Sequence, residues 1–186
     1  MKSGRLLLPC TEKIDLAALA YGVHFAQREQ ATLVPLALLP ASKQQRAQGS
    51  QMQTREQADD FLQAVKDQAA RVGVEVEPCV LWTLDVVRSI RLFAQEMLCA
   101  GIFLFVRREV PVLLSSDVIT RLLDEVPSTL LLVLLSQSNG AEQRSHWLHR
   151  IFEYIGGIYL GQEMLSLFLP PNDAESTIIV LWPLSH

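Results

Sequence analysis

Few residues of this chain stand where they could do chemistry, and most of those are groups that hold anions. Arg107 and Arg108 are adjacent cations at the end of an apolar run, and Ser115 and Ser116 stand just ahead of a helical pattern. Guanidinium groups, and hydroxyls at a helix start, are what a phosphate or carboxylate binds. Each has a plainer reading beside it: Arg107 and Arg108 as surface cations near Glu109, and at least one serine as a helix cap. Cys10, Thr11 and Asp85 follow other apolar runs and are expected to line the same crevice. A catalytic thiol at Cys10 would want a histidine or another cation beside it, and His24 falls roughly three turns down the next helix.

The remaining polar clusters carry less. His146 and His149 can share a helical face, but no third ligand has a suitable spacing, so they read as packing groups beside Trp147 and no metal site is expected. Asp59-Asp60 lies opposite an apolar stripe and Asp124-Glu125 at a helix end, where neither pair has reason to share a proton. There is no G-x-S-x-G, no H-E-x-x-H and no phosphate-loop G-x-x-x-x-G-K motif. The sequence thus assigns no catalytic residue, no cofactor and no metal.

The elements that must position these groups are legible from the apolar pattern. Gly101 to Val106 and Thr129 to Leu135 are apolar without alternation, as strands buried on both faces are. Between them Ser116 can cap a helix carrying Ile119, Leu122, Leu123 and Val126, with Pro127 as its stop. Strand, helix and strand make a parallel α/β unit, whose ligand site lies beyond the carboxyl end of its first strand, at Arg107 to Ser116.

Upstream, Arg5 to Pro9 reads as a strand and the next helix turns Leu16, Leu19, Ala20, Val23 and Phe25 to the sheet. Thr32 to Leu39 is a strand in which Pro35 demands a bulge or an early position. Glutamine-rich Ser42 to Arg55 reads as a surface loop. Ala58, Phe61, Leu62, Val65, Ala69 and Val72 form a helical stripe ended by Gly73. Val74 to Trp82 reads as a strand; Asp85 can cap a helix running to Met97, which Cys99-Ala100-Gly101 breaks. The expectation is a parallel five-stranded sheet with helices on both faces over residues 1–137. Residues 138–186 would add a helical extension, Glu142 to Leu167, and a terminal strand, Thr177 to Trp182, packed on the same domain or on a partner subunit.

Bulk properties narrow the classes. The 186 residues are 49% hydrophobic and 19% charged, enough for a buried core and unlike a disordered chain. Sixteen basic against 20 acidic residues, with no basic block, weigh against nucleic-acid binding. Cys10, Cys79 and Cys99 form no C-x-x-C pair, which fits a reducing, cytoplasmic setting, and no apolar run reaches the roughly 18 residues of a membrane span.

From Arg5 to about Leu135 this order of elements resembles the universal stress protein family. Arg5 to Pro9 is similar to its opening strand, Leu84-Asp85 with Val86 to Ile90 to its third crossover, and Ser116 to Val133, with Pro127, to its last helix and strand. The resemblance implies an α/β protein with an adenine-nucleotide-like pocket, often dimeric. The ATP-binding branch carries an aspartate where this chain has Cys10, and glycines followed by Gly-Ser or Gly-Thr before the last helix. Here Val106 to Asp117 holds no glycine, and the pair falls on Ser116-Asp117, whose carboxylate repels phosphate. The implied function is a non-enzymatic, stress-response-like regulatory or scaffolding protein with a degenerate nucleotide site, acting through a homodimer or another protein partner. The alternative is a small-molecule or nucleotide binder with an altered pocket between the carboxyl ends of strands 1 and 4.

Overall fold

The computed structural model describes residues 4–41, 54–107, 110–124, 129–135, 167–168 and 176–181. Its strands are β1 (Arg5–Cys10), β2 (Thr32–Pro40), β3 (Cys79–Thr83), β4 (Cys99–Arg107), β5 (Val110–Val112), β6 (Leu130–Leu135), β7 (Leu167–Phe168) and β8 (Ser176–Leu181). Its helices are α1 (Leu16–Arg28), α2 (Arg55–Val72), α3 (Val86–Glu96) and α4 (Ser116–Asp124). The sheet runs β3-β2-β1-β4-β6-β8-β7, with β5 paired to the end of β4. The first five strands of that order are parallel, as the uninterrupted apolar runs require; β5, β7 and β8 run antiparallel to their neighbours.

Alternate residues of each central strand feed two separate cores. Leu6, Leu8 and Cys10 of β1, Phe103 and Phe105 of β4 and Leu131 and Val133 of β6 pack with α1 and α2. Leu7, Ile102, Leu104, Leu130 and Leu132 pack on the other face with α3 and α4. Gly101 allows a close approach between β4 and β6: a Cβ there would stand 3.0 Å from Leu131 Cδ1, so the leucine side chain would have to give. Gly73 ends α2 at φ 71, as its position predicts.

Several boundaries differ from the sequence expectation. α1 starts at Leu16 because Asp15 caps it, and its buried stripe is Ala18, Leu19, Gly22, Val23 and Ala26; Leu16, at the first turn, is 64% exposed. Pro35 sits inside β2 without a bulge. Leu33 exchanges backbone hydrogen bonds with Glu75 and Glu77, so Pro35, next on the same side of the strand, faces the gap before pairing resumes at Leu36 and Cys79. The irregularity belongs to the neighbouring segment, where Pro78 delays β3 to Cys79. α3 ends with Met97 as its cap and turns at Leu98, φ 51, so Cys99 and Ala100 already belong to β4.

Thr54 and Gln57 form a reciprocal capping box at α2, so the helix begins within the stretch expected to be loop. Leu167 lies in β7 rather than at a helix end, and the terminal strand begins one residue early, at Ser176. Arg108, Glu109, Val126, Pro127, most of the glutamine-rich loop, the segment with His146, Trp147 and His149, and Trp182 fall outside the described residues. No described helix is long and apolar enough to cross a membrane.

Candidate functional site

β1 lies between β2 and β4, and the chain leaves these two central strands in opposite directions: from β1 through α1 to β2, and from β4 through α4 to β6. That is the switch point of an open α/β sheet, where the crevice beyond the strand ends opens. Direct β1–β4 pairing ends at Leu7 and Ile102, leaving Leu8, Pro9 and Cys10 to diverge from β4.

The chain itself fills this opening. Beyond Arg107 it folds back as β5, pairing Val112 with Phe105 and Val110 with Arg107. Leu113 then turns at φ 68, and its carbonyl oxygen accepts the amide hydrogens of Thr11 at 2.7 Å and Glu12 at 3.1 Å. Leu113 and Leu114 are each 1% exposed and go to opposite faces, the first into the core under α1 and α2, the second into the core under α3 and α4. A leucine held at positive φ costs about 1–2 kcal/mol. Burying its side chain returns about 1.5–3 kcal/mol, and two backbone hydrogen bonds add about 1 kcal/mol each, so the strained turn is stable.

The sequence-nominated residues divide into three groups. Cys10, Thr11 and Arg107 surround the filled crevice. The Cys10 thiol donates to the Glu12 carbonyl at 3.3 Å, and burial pushes its pKa up to about 12, so at neutral pH it is a protonated apolar group. Thr11 is buried, and its Oγ1 has no hydrogen-bond partner among the described residues. Arg107 donates to Asp15 Oδ1 at 2.8 Å. Ser115, not Ser116, caps α4: its Oγ accepts from Val118 N at 3.4 Å and its carbonyl from Ile119 N at 3.1 Å, while Ser116 is exposed as the first helical residue.

Asp85 belongs to neither group. It caps α3 through Arg88 N at 3.2 Å and pairs with Arg121 at 3.4 Å, lining a separate cleft between α3 and α4. Thr83 holds the Asp85 backbone on both sides, its hydroxyl donating to the carbonyl at 2.9 Å and accepting from the amide at 3.0 Å. Arg108 lies outside the described residues. The residues that sequence reasoning missed are Asp15, Leu113 and Leu114. Asp15 had a signal, an aspartate directly before an apolar helical run. Leu113 had none, because nothing local marks a leucine that must turn at positive φ.

No protein-family model matches this chain, and no curated protein does. Its structure is similar to that of a universal stress protein from Archaeoglobus fulgidus, with TM-score 0.55 and 16% identity over 71% of this chain and 94% of that one. Weaker similarities reach a protein of the same family from Burkholderia pseudomallei, with TM-score 0.49 and 20% identity over 68% of this chain and 93% of that one. A further Archaeoglobus fulgidus universal stress protein, in complex with dAMP, matches with TM-score 0.45 and 18% identity over 57% of this chain and 83% of that one. The chain has the universal stress protein fold, extended by an antiparallel strand pair at one sheet edge.

Proposed function

We propose that this protein is a non-enzymatic regulatory or scaffolding domain whose ancestral nucleotide crevice is occupied by its own connector. It works through protein contacts, a homodimer or another partner, in a reducing cytoplasm. The observation carrying this reading is the Leu113 carbonyl on the amides of Thr11 and Glu12. Backbone donors that a bound anion would need are already satisfied from within the chain, and Leu113 and Leu114 take up the volume around them. The neutral thiol of Cys10 supports the absence of nucleophilic catalysis.

A second reading keeps a small ligand in the same crevice, favoured by the unsatisfied, buried Thr11 Oγ1. Thermal-shift and calorimetric screens with ATP, AMP and cyclic nucleotides separate the two. The first reading expects any nucleotide binding at the crevice to have Kd weaker than ~1 mM. Micromolar binding that Thr11→Val abolishes would replace it with the second.

A further inference from the structure

We propose that the cleft between α3 and α4 is a binding site for a small oxyanion ligand bearing a phosphoryl or polycarboxylate group. The cleft measures about 360 Å³ and is lined by Arg88, Arg91, Arg121, Asp85, Leu92 and Gln95. That size sits at the small end of ligand sites, roughly 300–1,000 Å³, and suits a metabolite rather than a folded partner. It lies on the opposite face of the sheet from α1 and α2 and uses none of the groups around the connector.

The sequence builds this cleft by helical spacing. Residues 88, 91, 92 and 95 recur at three and four positions, so they form one stripe of α3, while Val87, Ile90 and Ala94 turn to the core. α4 buries Val118, Ile119 and Leu122 against the same core, which places Arg121 on the facing wall. Among the described residues the lining holds three arginines and one carboxylate, in a protein whose formal net charge is -4. Arg91 is already engaged, so Arg88 and Arg121 are the guanidinium groups offered to a ligand. Arginine is the side chain that matches carboxylate and phosphate oxygens in pairs, so the residue type as well as the charge fits an oxyanion.

Asp85 sets the geometry without filling the site. Its Oδ1 holds Arg121 by one 3.4 Å contact while also capping Arg88 N, and both partners of the ion pair are close to half exposed, at 44% and 45%. Such a pair is weak, and it leaves guanidinium donors of Arg121 for a ligand. Leu92, half exposed, supplies an apolar wall on which the carbon skeleton of a metabolite can lie.

The test uses the full chain, titrated with sodium tripolyphosphate in one arm and citrate in the other. Each is compared with sodium chloride at equal ionic strength, by isothermal calorimetry and thermal shift. Saturable binding in either arm is expected, with the responding arm naming the phosphoryl or carboxylate class. Arg88→Gln and Arg121→Gln should each weaken it about tenfold, the loss of one charge-assisted contact. Both side chains are exposed, so unchanged melting without ligand establishes that the variants fold. Arg55→Gln, exposed on α2 at the other face of the sheet, should leave binding unaltered. No saturable heat beyond the chloride control, or binding indifferent to both cleft variants, would overturn the proposal, whatever the nucleotide screen finds.

Discussion

A single carboxylate oxygen, Asp15 Oδ1, accepts the Ala18 amide at 2.9 Å and the Arg107 guanidinium at 2.8 Å. Asp15 therefore caps α1 and ties the carboxyl end of β4 to the helix leaving β1, across the switch point. The two side chains are 15% and 28% exposed, drier than the other ion pairs described here, so solvent screens this contact less.

Asp15→Ala should destabilise the protein by about 1–2 kcal/mol through the lost cap alone. Arg107→Gln should cost about 0.5–1 kcal/mol, and the double variant should cost less than the sum. Urea unfolding of the four proteins reads the coupling. Strict additivity would show that the pair holds no strain-bearing contact across the crevice.

Leu113 and Leu114 should respond differently to glycine. Alanine at either removes buried methyl groups and costs about 2–4 kcal/mol. Glycine at 114 should cost about 1 kcal/mol more than alanine there, the ordinary entropic penalty. At 113, held at φ 68, glycine relieves the turn, so Leu113→Gly should be no worse than Leu113→Ala. Equilibrium unfolding gives both comparisons, and an equal glycine penalty at the two sites would mean the turn is not strained.

These residues show where the sequence was readable. The parallel strands followed from runs such as Phe103 to Val106, which must be buried on both faces, and Asp85 and Gly73 declared their helix ends chemically. The closed crevice did not declare itself. Its plug depends on a tertiary contact, Leu113 to Thr11, between residues about a hundred positions apart, and Val110–Val112 is too short to show alternation. Asp85 and Cys10 both follow strands, so the sequence alone sets them in one crevice. The sheet order places β3 two strands away from β1, and α3 carries the Asp85 side chain to the other cleft.

Alkaline pH should unfold the protein early. Burial raises Cys10 and Tyr21 to about 12 and Cys99 to about 11. Unfolded thiols ionise near ~8.5, so above that pH the unfolded chain sheds protons the native one keeps. The stabilisation is complete below the unfolded pKa and disappears as pH climbs toward the native values. Melting temperature should fall from about pH 9 upward, less steeply in Cys10→Ala. At pH 8 iodoacetamide should spare Cys10 until urea unfolds the chain; prompt modification of native Cys10 would contradict its burial.

The acid limb carries a separate signature. Arg5 holds both carboxylate oxygens of Glu77, at 2.9 and 3.1 Å, and this keeps Glu77 below the ordinary carboxylate range. Its stabilisation is present above the unfolded pKa of about 4.3 and is lost as pH falls through the lower native value. Both side chains are over a third exposed, so the effect is small. Glu77→Gln should flatten the melting-temperature profile below about pH 4.5 and leave the alkaline limb alone.

The final prediction concerns the tail and the sheet edge it covers. All six residues of β8 pair antiparallel with β6, from Leu130 with Leu181 to Leu135 with Ser176, and β7 pairs in turn with β8. The outer edge of β6 therefore carries the chain's own tail. A homodimer must use another surface, such as β7, or exchange β8 between subunits. Ending the chain at Gly140 removes β8 and leaves the backbone groups along one side of β6 unpaired, an open template for association. The truncated protein should melt lower and sediment as larger species than the full chain at the same concentration. A full chain that sediments as a monomer, together with a truncated chain that is equally stable and monomeric, would remove both the dimer and the structural role of the tail.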